Sequence, residues 1–225
     1  EVECIFPDIA GSSKGKILPV QRFIKSMEDQ SLKLADSVFG QTVSGKWVYE
    51  SEVIDYVEED LIMKPDLSTI RKIPWNKEPT AQIICDLHYS DGSPSALAPR
   101  QVLKNIIGLL DKEELKAIVA PELEFYLCEQ NLDPDLPLKT PIGKSGRREK
   151  GSRVFGIDAV NEFDDLTDDI YDYCEILKIG VDTLIHESGP SQIEINLNHG
   201  DPLQLADQAF MLSLIHISEP TRHAS

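Results

Sequence analysis

Residues 120–126 read Ala-Pro-Glu-Leu-Glu-Phe-Tyr, and this short run limits what the chain can fold into more than any other. On a β-strand, side chains two apart project from the same face. A strand here sends Glu122 and Glu124 out together from a segment otherwise rich in apolar residues. Two carboxylates held that close repel unless cations hold them, and hard divalent ions such as Mg²⁺ or Mn²⁺ prefer carboxylate oxygen. A solvated charged face on an edge strand fits the same pattern, so the pair alone leaves both readings open.

A second acidic group lies in residues 186–196, His-Glu-Ser-Gly-Pro-Ser-Gln-Ile-Glu-Ile-Asn. Gly189 and Pro190 break the strand, so two strand ends can bring Glu187 and Glu194 to one mouth. A third feature is cationic: Lys139, Lys144, Arg147, Arg148, Lys150 and Arg153 are interleaved with Gly143, Gly146 and Gly151. Such a loop attracts phosphate, or is simply a solvated surface loop. It contains no Walker-type phosphate-binding motif.

The pattern around these features is α+β. Strands are expected at Val2–Phe6, Lys16–Pro19, Lys46–Tyr49 and Ala81–Leu87, with a short helix from Val20 through Met27. Asp91-Gly-Ser-Pro94 marks a boundary. Beyond it, helical spacing covers Pro99–Asp111, a strand runs Lys116–Leu127 and a helix Asp164–Ile179. Strands follow at Val181–Ile185 and Gln192–Leu197, and a helix from Pro202. The division implied is 1–95, 96–211 and 212–225. The last segment, Leu212 to Arg222 and its Ser225 terminus, resembles the forward translation of a transposon-based sequencing adapter. It is expected to be a non-native tail without a packing role, on a chain cut at both ends.

Composition narrows the function. A net charge of −17 over 225 residues, with 27% charged side chains, argues against nucleic acid and anionic membrane surfaces as partners. Cys4, Cys85, Cys128 and Cys174 are dispersed and form no CxxC pair. Reduced thiols in the cytoplasm are the simplest expectation. No apolar run approaches the roughly 20 residues needed to span a bilayer.

Together these segments resemble the glutamine synthetase family. Pro121-Glu-Leu-Glu-Phe125 and Glu187-x-Gly-Pro-x-Gln-x-Glu194 are similar to its two metal-binding signatures. Phe6-Pro-Asp-Ile-Ala-Gly-x-x-x-Gly-Lys16 and Asp60-Leu-Ile-Met-Lys-Pro-Asp66 resemble its β-grasp domain. Ser68–Trp75, Pro141–Arg147, Ile157–Phe163 and the Asn196-x-x-x-Gly-Asp-Pro202 run lean toward its γ-glutamylpolyamine synthetase branch. The resemblance implies a β-grasp-like N-terminal domain followed by an incomplete glutamine-synthetase-type catalytic α/β domain. It implies an ATP-dependent ligase joining the glutamate γ-carboxyl to an amine, expected to be a polyamine, through a γ-glutamyl phosphate, in a homo-oligomer with active sites between subunits.

Carried onto this sequence, Glu124, Glu187 and Glu194 would hold one Mg²⁺ or Mn²⁺ and Glu122 the metal that bridges the ATP phosphates. Asp182 falls where some members place a nucleotide contact, and no catalytic acid or base is assigned. Gln41-Thr-Val-Ser-Gly45 stands where the ammonia-using member carries an Asp-Gly-Ser-Ser loop, which weighs against ammonia. Ammonia-using glutamine synthetase and a non-catalytic structural relative stay open, as does a related domain fused to an amidohydrolase. This chain by itself is expected to be inactive.

Overall fold

The computed structural model describes residues 1–42, 44–48, 59–133 and 135–218. The chain divides into two compact units, Glu1–Ala117 and Ile118–Ser225.

The first unit is a mixed sheet with helices. Its strands are β1 (Val2–Pro7), β2 (Ser13–Leu18), β3 (Lys33–Ala35), β4 (Asp60–Pro65), β5 (Arg71–Lys72) and β6 (Ala81–His88). Helix α1 (Val20–Asp29) follows β2, and α2 (Pro99–Lys112) follows β6. The sheet order is β2-β1-β6-β4-β3, with β5 also pairing β6. β1 and β6 run parallel, and the other pairs are antiparallel. The three strands expected around residues 2–6, 16–19 and 81–87 therefore share one sheet. Alternation sets the core: Val2, Cys4 and Phe6 lie on one face with Ile83, Cys85 and Leu87 and with Leu61 and Met63, packed with Phe23 and Phe39. Phe6 meets Phe39 edge-on, ring centroids 6.1 Å apart.

The expected strand at Lys46–Tyr49 is not formed over Lys46–Val48, where Trp47 makes only an isolated bridge to Gln41; Tyr49 lies outside the described residues. The compact units part at Ala117. Helix α2 stays with the first unit because Arg100, 6% exposed, is tied to Asp66 at 2.6 Å and Asp86 at 2.7 Å, and Lys104 to Asp86 at 2.5 Å. Burial opposes ionisation of Asp66. Hydrogen bonds from Ser68 and Arg100 nevertheless hold its carboxyl below the ordinary range.

The second unit is built on a three-stranded antiparallel sheet. β7 (Glu122–Tyr126) and β8 (Val181–His186) flank β9 (Gln192–Leu197), in the order β7-β9-β8. Between β7 and β8 run a short α3 (Ile157–Val160) and α4 (Asp164–Leu177), and α5 (Pro202–Ser218) follows β9. Strand β7 is shorter than the expected 116–127 because Pro121, fixed in φ and lacking an N–H, interrupts the ladder. Ahead of it, Val119 makes only an isolated bridge to Gly200.

Helix α4 ends at Leu177, and Lys178 takes the left-handed position at φ 59. That turn lets the Ile179 N–H reach the Cys174 carbonyl and buries Ile179. Burial also pushes the Cys174 thiol up to about 12. Asp201 caps α5 by accepting from the Leu203 and Gln204 N–H groups, with Pro202 in the first turn. Helix α5 continues into the segment expected to lack packing, where Leu212 and Ile215 are buried, as is Leu205 earlier in the same helix. They fall at i, i+7 and i+10, one face of a helix. Residues 219–225 lie outside the described set.

Candidate metal centre

Strand register decides which side chains meet. Glu124 stands opposite Glu194 and Glu122 opposite Asn196. On β9, Gln192, Glu194 and Asn196 share one face, and Ile193, Ile195 and Leu197 fill the other, all three buried. Glu187 follows the last residue of β8, where its N–H donates to the Gln192 carbonyl and closes the β8–β9 hairpin. The outcome is a cluster in which Glu124, Glu187 and Glu194 each offer a carboxylate oxygen, all within 4.8 Å of one another.

The surrounding hydrogen bonds aim these acids. Gln192 is clamped at both ends: its amide oxygen accepts from the Gly189 N–H at 2.8 Å, and its amide nitrogen donates to Glu124 Oε2 at 2.8 Å. Asn196 donates to Glu194 Oε1 at 2.9 Å and to Thr183 Oγ1 at 3.0 Å. The Ser188 N–H and hydroxyl both donate to Glu187 Oε2. These bonds, with the neighbouring His186, hold the Glu187 carboxyl below its usual range. Glu194 is only 8% exposed. A buried acid facing two more carboxylates through hard oxygen donors suits a divalent ion such as Mg²⁺ or Mn²⁺, and the residues present fit one.

Three of the four sequence-expected acids therefore converge, and Glu122 stands outside the group. Asp182 is exposed at an irregularity between Val181 and Thr183, at the end of β8 away from Glu187. In the cationic loop, Arg148 pairs with Glu129, Lys144 with Asp164 and Arg153 with Asp158. Half of its charges are thus met by nearby acids, which favours the surface-loop reading. Gln192 braces the turn through Gly189, and it also orients Glu124. The period-two run Gln192-x-Glu194-x-Asn196 carried the signal for both amides. Glu149, which contacts His186 and Ser191, carried none, because it sits in an irregular loop.

Comparison with known proteins places the chain. Residues 96–217 match the model of the glutamine synthetase catalytic domain, and the chain belongs to the glutamine synthetase family. It is 30% identical over 214 residues to gamma-glutamylputrescine synthetase PuuA of Escherichia coli strain K12, covering 94% of this chain and 45% of that protein. It is 28% identical to a glutamate–isopropylamine ligase of a Pseudomonas species, covering 91% of this chain and 44% of the relative. It is 30% identical to a glutamine synthetase of Pyrococcus abyssi, covering 95% and 43%. The chain thus spans less than half the length of these relatives. Among solved structures, a glutamine synthase homolog superposes with a TM-score of 0.79 at 18% identity, covering 98% of this chain and 49% of the other. Ligand-free GmaS gives 0.77 at 20% identity, covering 99% and 48%. The fold is a mixed α/β fold of this family. The described residues include no helix long and apolar enough to cross a membrane.

Proposed function

We propose that the full-length protein containing this chain is an ATP-dependent ligase that joins the γ-carboxyl of glutamate to an amine. The convergence of Glu124, Glu187 and Glu194 within 4.8 Å carries this reading. A carboxylate is a poor electrophile. Transfer of the ATP γ-phosphoryl group to glutamate gives a γ-glutamyl phosphate and ADP. An unprotonated amine then attacks the acyl carbon and phosphate leaves, the amine giving up one proton. Mg²⁺ or Mn²⁺ held by the three glutamates would neutralise phosphoryl charge. The acidic cluster favours arrival of a cationic ammonium group, and the hydrogen bonds from Gln192 and Asn196 keep two of the carboxylates aimed. Glu122 is assigned toward the metal on the ATP phosphates and Asp182 toward the nucleotide, both by family resemblance. On the same basis we read the first unit as β-grasp-like and the protein as a cytoplasmic homo-oligomer.

The acceptor we favour is a polyamine. The motifs at Ser68–Trp75, Pro141–Arg147 and Ile157–Phe163 support it, as does the absence of an Asp-Gly-Ser-Ser loop at 41–45. Ammonia is the second reading, because glutamine synthetase of Pyrococcus abyssi is as similar as PuuA, each 30% identical. A non-catalytic role is disfavoured by retention of all four acids. The test is phosphate release by the full-length protein with ATP, glutamate and Mn²⁺, comparing putrescine, a monoalkylamine and ammonium. Putrescine should give the highest kcat/KM, and Glu124→Ala should abolish or sharply reduce turnover. Preference for ammonium would sink the polyamine assignment. Full turnover by Glu124→Ala would remove these glutamates from the mechanism.

A further inference from the structure

The hairpin turn that carries Glu187 has an unusual support. Residues 187–191 connect β8 to β9, and both flanks of the turn converge on one side chain from a distant loop. Glu149 Oε2 lies 2.9 Å from His186 Nε2 and accepts from the Ser191 N–H at 2.6 Å, with the Ser191 hydroxyl at 3.5 Å. His186 is 1% and Glu149 10% exposed at the side chain, and Ser191 is fully buried. The His186 ring is fixed at its other end by Nδ1, 2.7 Å from the Glu187 carbonyl. A carbonyl only accepts, so Nδ1 carries a hydrogen and donates it.

The backbone here is strained. Ser191 sits at φ 57, in the left-handed region that non-glycine residues avoid. Its carbonyl is held by the Leu127 N–H at 2.9 Å and its N–H by Glu149. Phe155, also left-handed at φ 58, donates its N–H to the His186 carbonyl. Strained residues persist only where their surroundings over-determine them, and they cluster at functional sites. What this support holds in place is Glu187 within the turn and, directly after Ser191, Gln192, whose amide aims Glu124.

We propose that Glu149 is a positioning residue for the metal centre: a buried strut that fixes the β8–β9 turn and so sets the carboxylates of Glu187 and, through Gln192, Glu124. This rests on the reading of the three-glutamate cluster as a metal site. Residues one shell out from a metal set ligand orientation, and their loss weakens binding by about 10- to 100-fold. Both contacts fall on Oε2, so glutamine at 149 keeps them through its amide oxygen, which accepts from the Ser191 N–H and from a hydrogen on His186 Nε2, while its NH₂ takes the place of the unpartnered Oε1. Aspartate keeps the charge but shortens the arm and cannot span both flanks.

The experiment is a Mn²⁺ titration of this chain, followed by paramagnetic broadening of the amide signals of residues 187–195, which detects weak binding. Glu149→Ala and Glu149→Asp should each weaken binding by about 10- to 100-fold, and Glu149→Gln, which keeps the shared oxygen at full arm length, should recover part of it. If the alanine variant fails to fold, the aspartate and glutamine variants carry the comparison. Undiminished binding by both Ala and Asp overturns the proposal, as does a glutamine variant no better than aspartate. Glu187→Gln separates the two levels: if it weakens binding and the Glu149 variants do not, only the strut is wrong. If it changes nothing, or the unsubstituted chain shows no broadening, the metal reading falls and the strut with it.

Discussion

Replacing Glu194 by glutamine should have opposite effects with and without metal. Glu194 is 8% exposed and stands directly across the ladder from Glu124. At the 4.8 Å bound on their oxygens, two unit charges repel by about 0.9 kcal/mol in a water-like medium and about 3.5 kcal/mol at an effective dielectric of 20. Glu124 is exposed, so the low end applies, about 1 kcal/mol. Glutamine keeps an oxygen for the Asn196 amide, which now donates to Glu194 Oε1, so little is lost in exchange. Without metal, Glu194→Gln should therefore raise the unfolding midpoint by about 2–4 °C. With Mn²⁺ at ten times its dissociation constant, the unsubstituted chain gains about 1.4 kcal/mol. The variant, missing a ligand charge, gains less. The assay is thermal unfolding by circular dichroism in EDTA and in Mn²⁺. The variant should lead in EDTA and lose that lead in Mn²⁺. A variant less stable in EDTA would show that the three carboxylates do not strain the metal-free chain, and the argument for a cation would lose its electrostatic basis.

Two further outcomes are expected. A Cβ on Gly189 would stand 2.5 Å from the Tyr126 hydroxyl and 2.8 Å from Gln192 Oε1, so Gly189→Ala should push Gln192 off Glu124. Mn²⁺ titration should then show weakened binding, and unchanged affinity would count against Gln192 as an aiming group. Arg100→Met strands Asp66 and Asp86 without their buried partner and should cost about 3–5 kcal/mol in urea unfolding. Because the folded-state pKa of Asp66 is depressed, its contribution is present above the ordinary carboxylate pKa and is lost as pH falls through the depressed value. The cost of Arg100→Met should therefore shrink in acid, and a cost constant with pH would contradict that linkage.

Much of this was legible in the sequence. Period-two alternation gave β9 at its observed bounds and set Glu194 on the face opposite three apolar neighbours. Helical spacing gave α2 and α4 to within a few residues. The misses have physical causes. Pro121 cut the strand that apolar density had extended back to Lys116. The ion pairs of Arg100 escaped notice because no local pattern reveals them, since Asp66 and Asp86 are distant in sequence. Glu122 has the same strand face as Glu124, yet a two-residue step along β7 sets it opposite an amide instead of an acid. The Glu149 contacts cross about forty residues of loop and helix, beyond the reach of any periodicity.

The alternation of β9 also bears on how such a chain can change over generations. Inserting or deleting one codon within that strand would turn Glu194 into the apolar layer and bring an isoleucine into the acidic cluster, because a slip of one residue exchanges the two faces. Two codons would restore the faces but move Glu194 away from Glu124. Length changes here are therefore filtered twice, once by folding and once by chemistry. The irregular stretches 127–133 and 135–148 meet neither filter along most of their course, and length variation between relatives should accumulate before Glu149 and stop there.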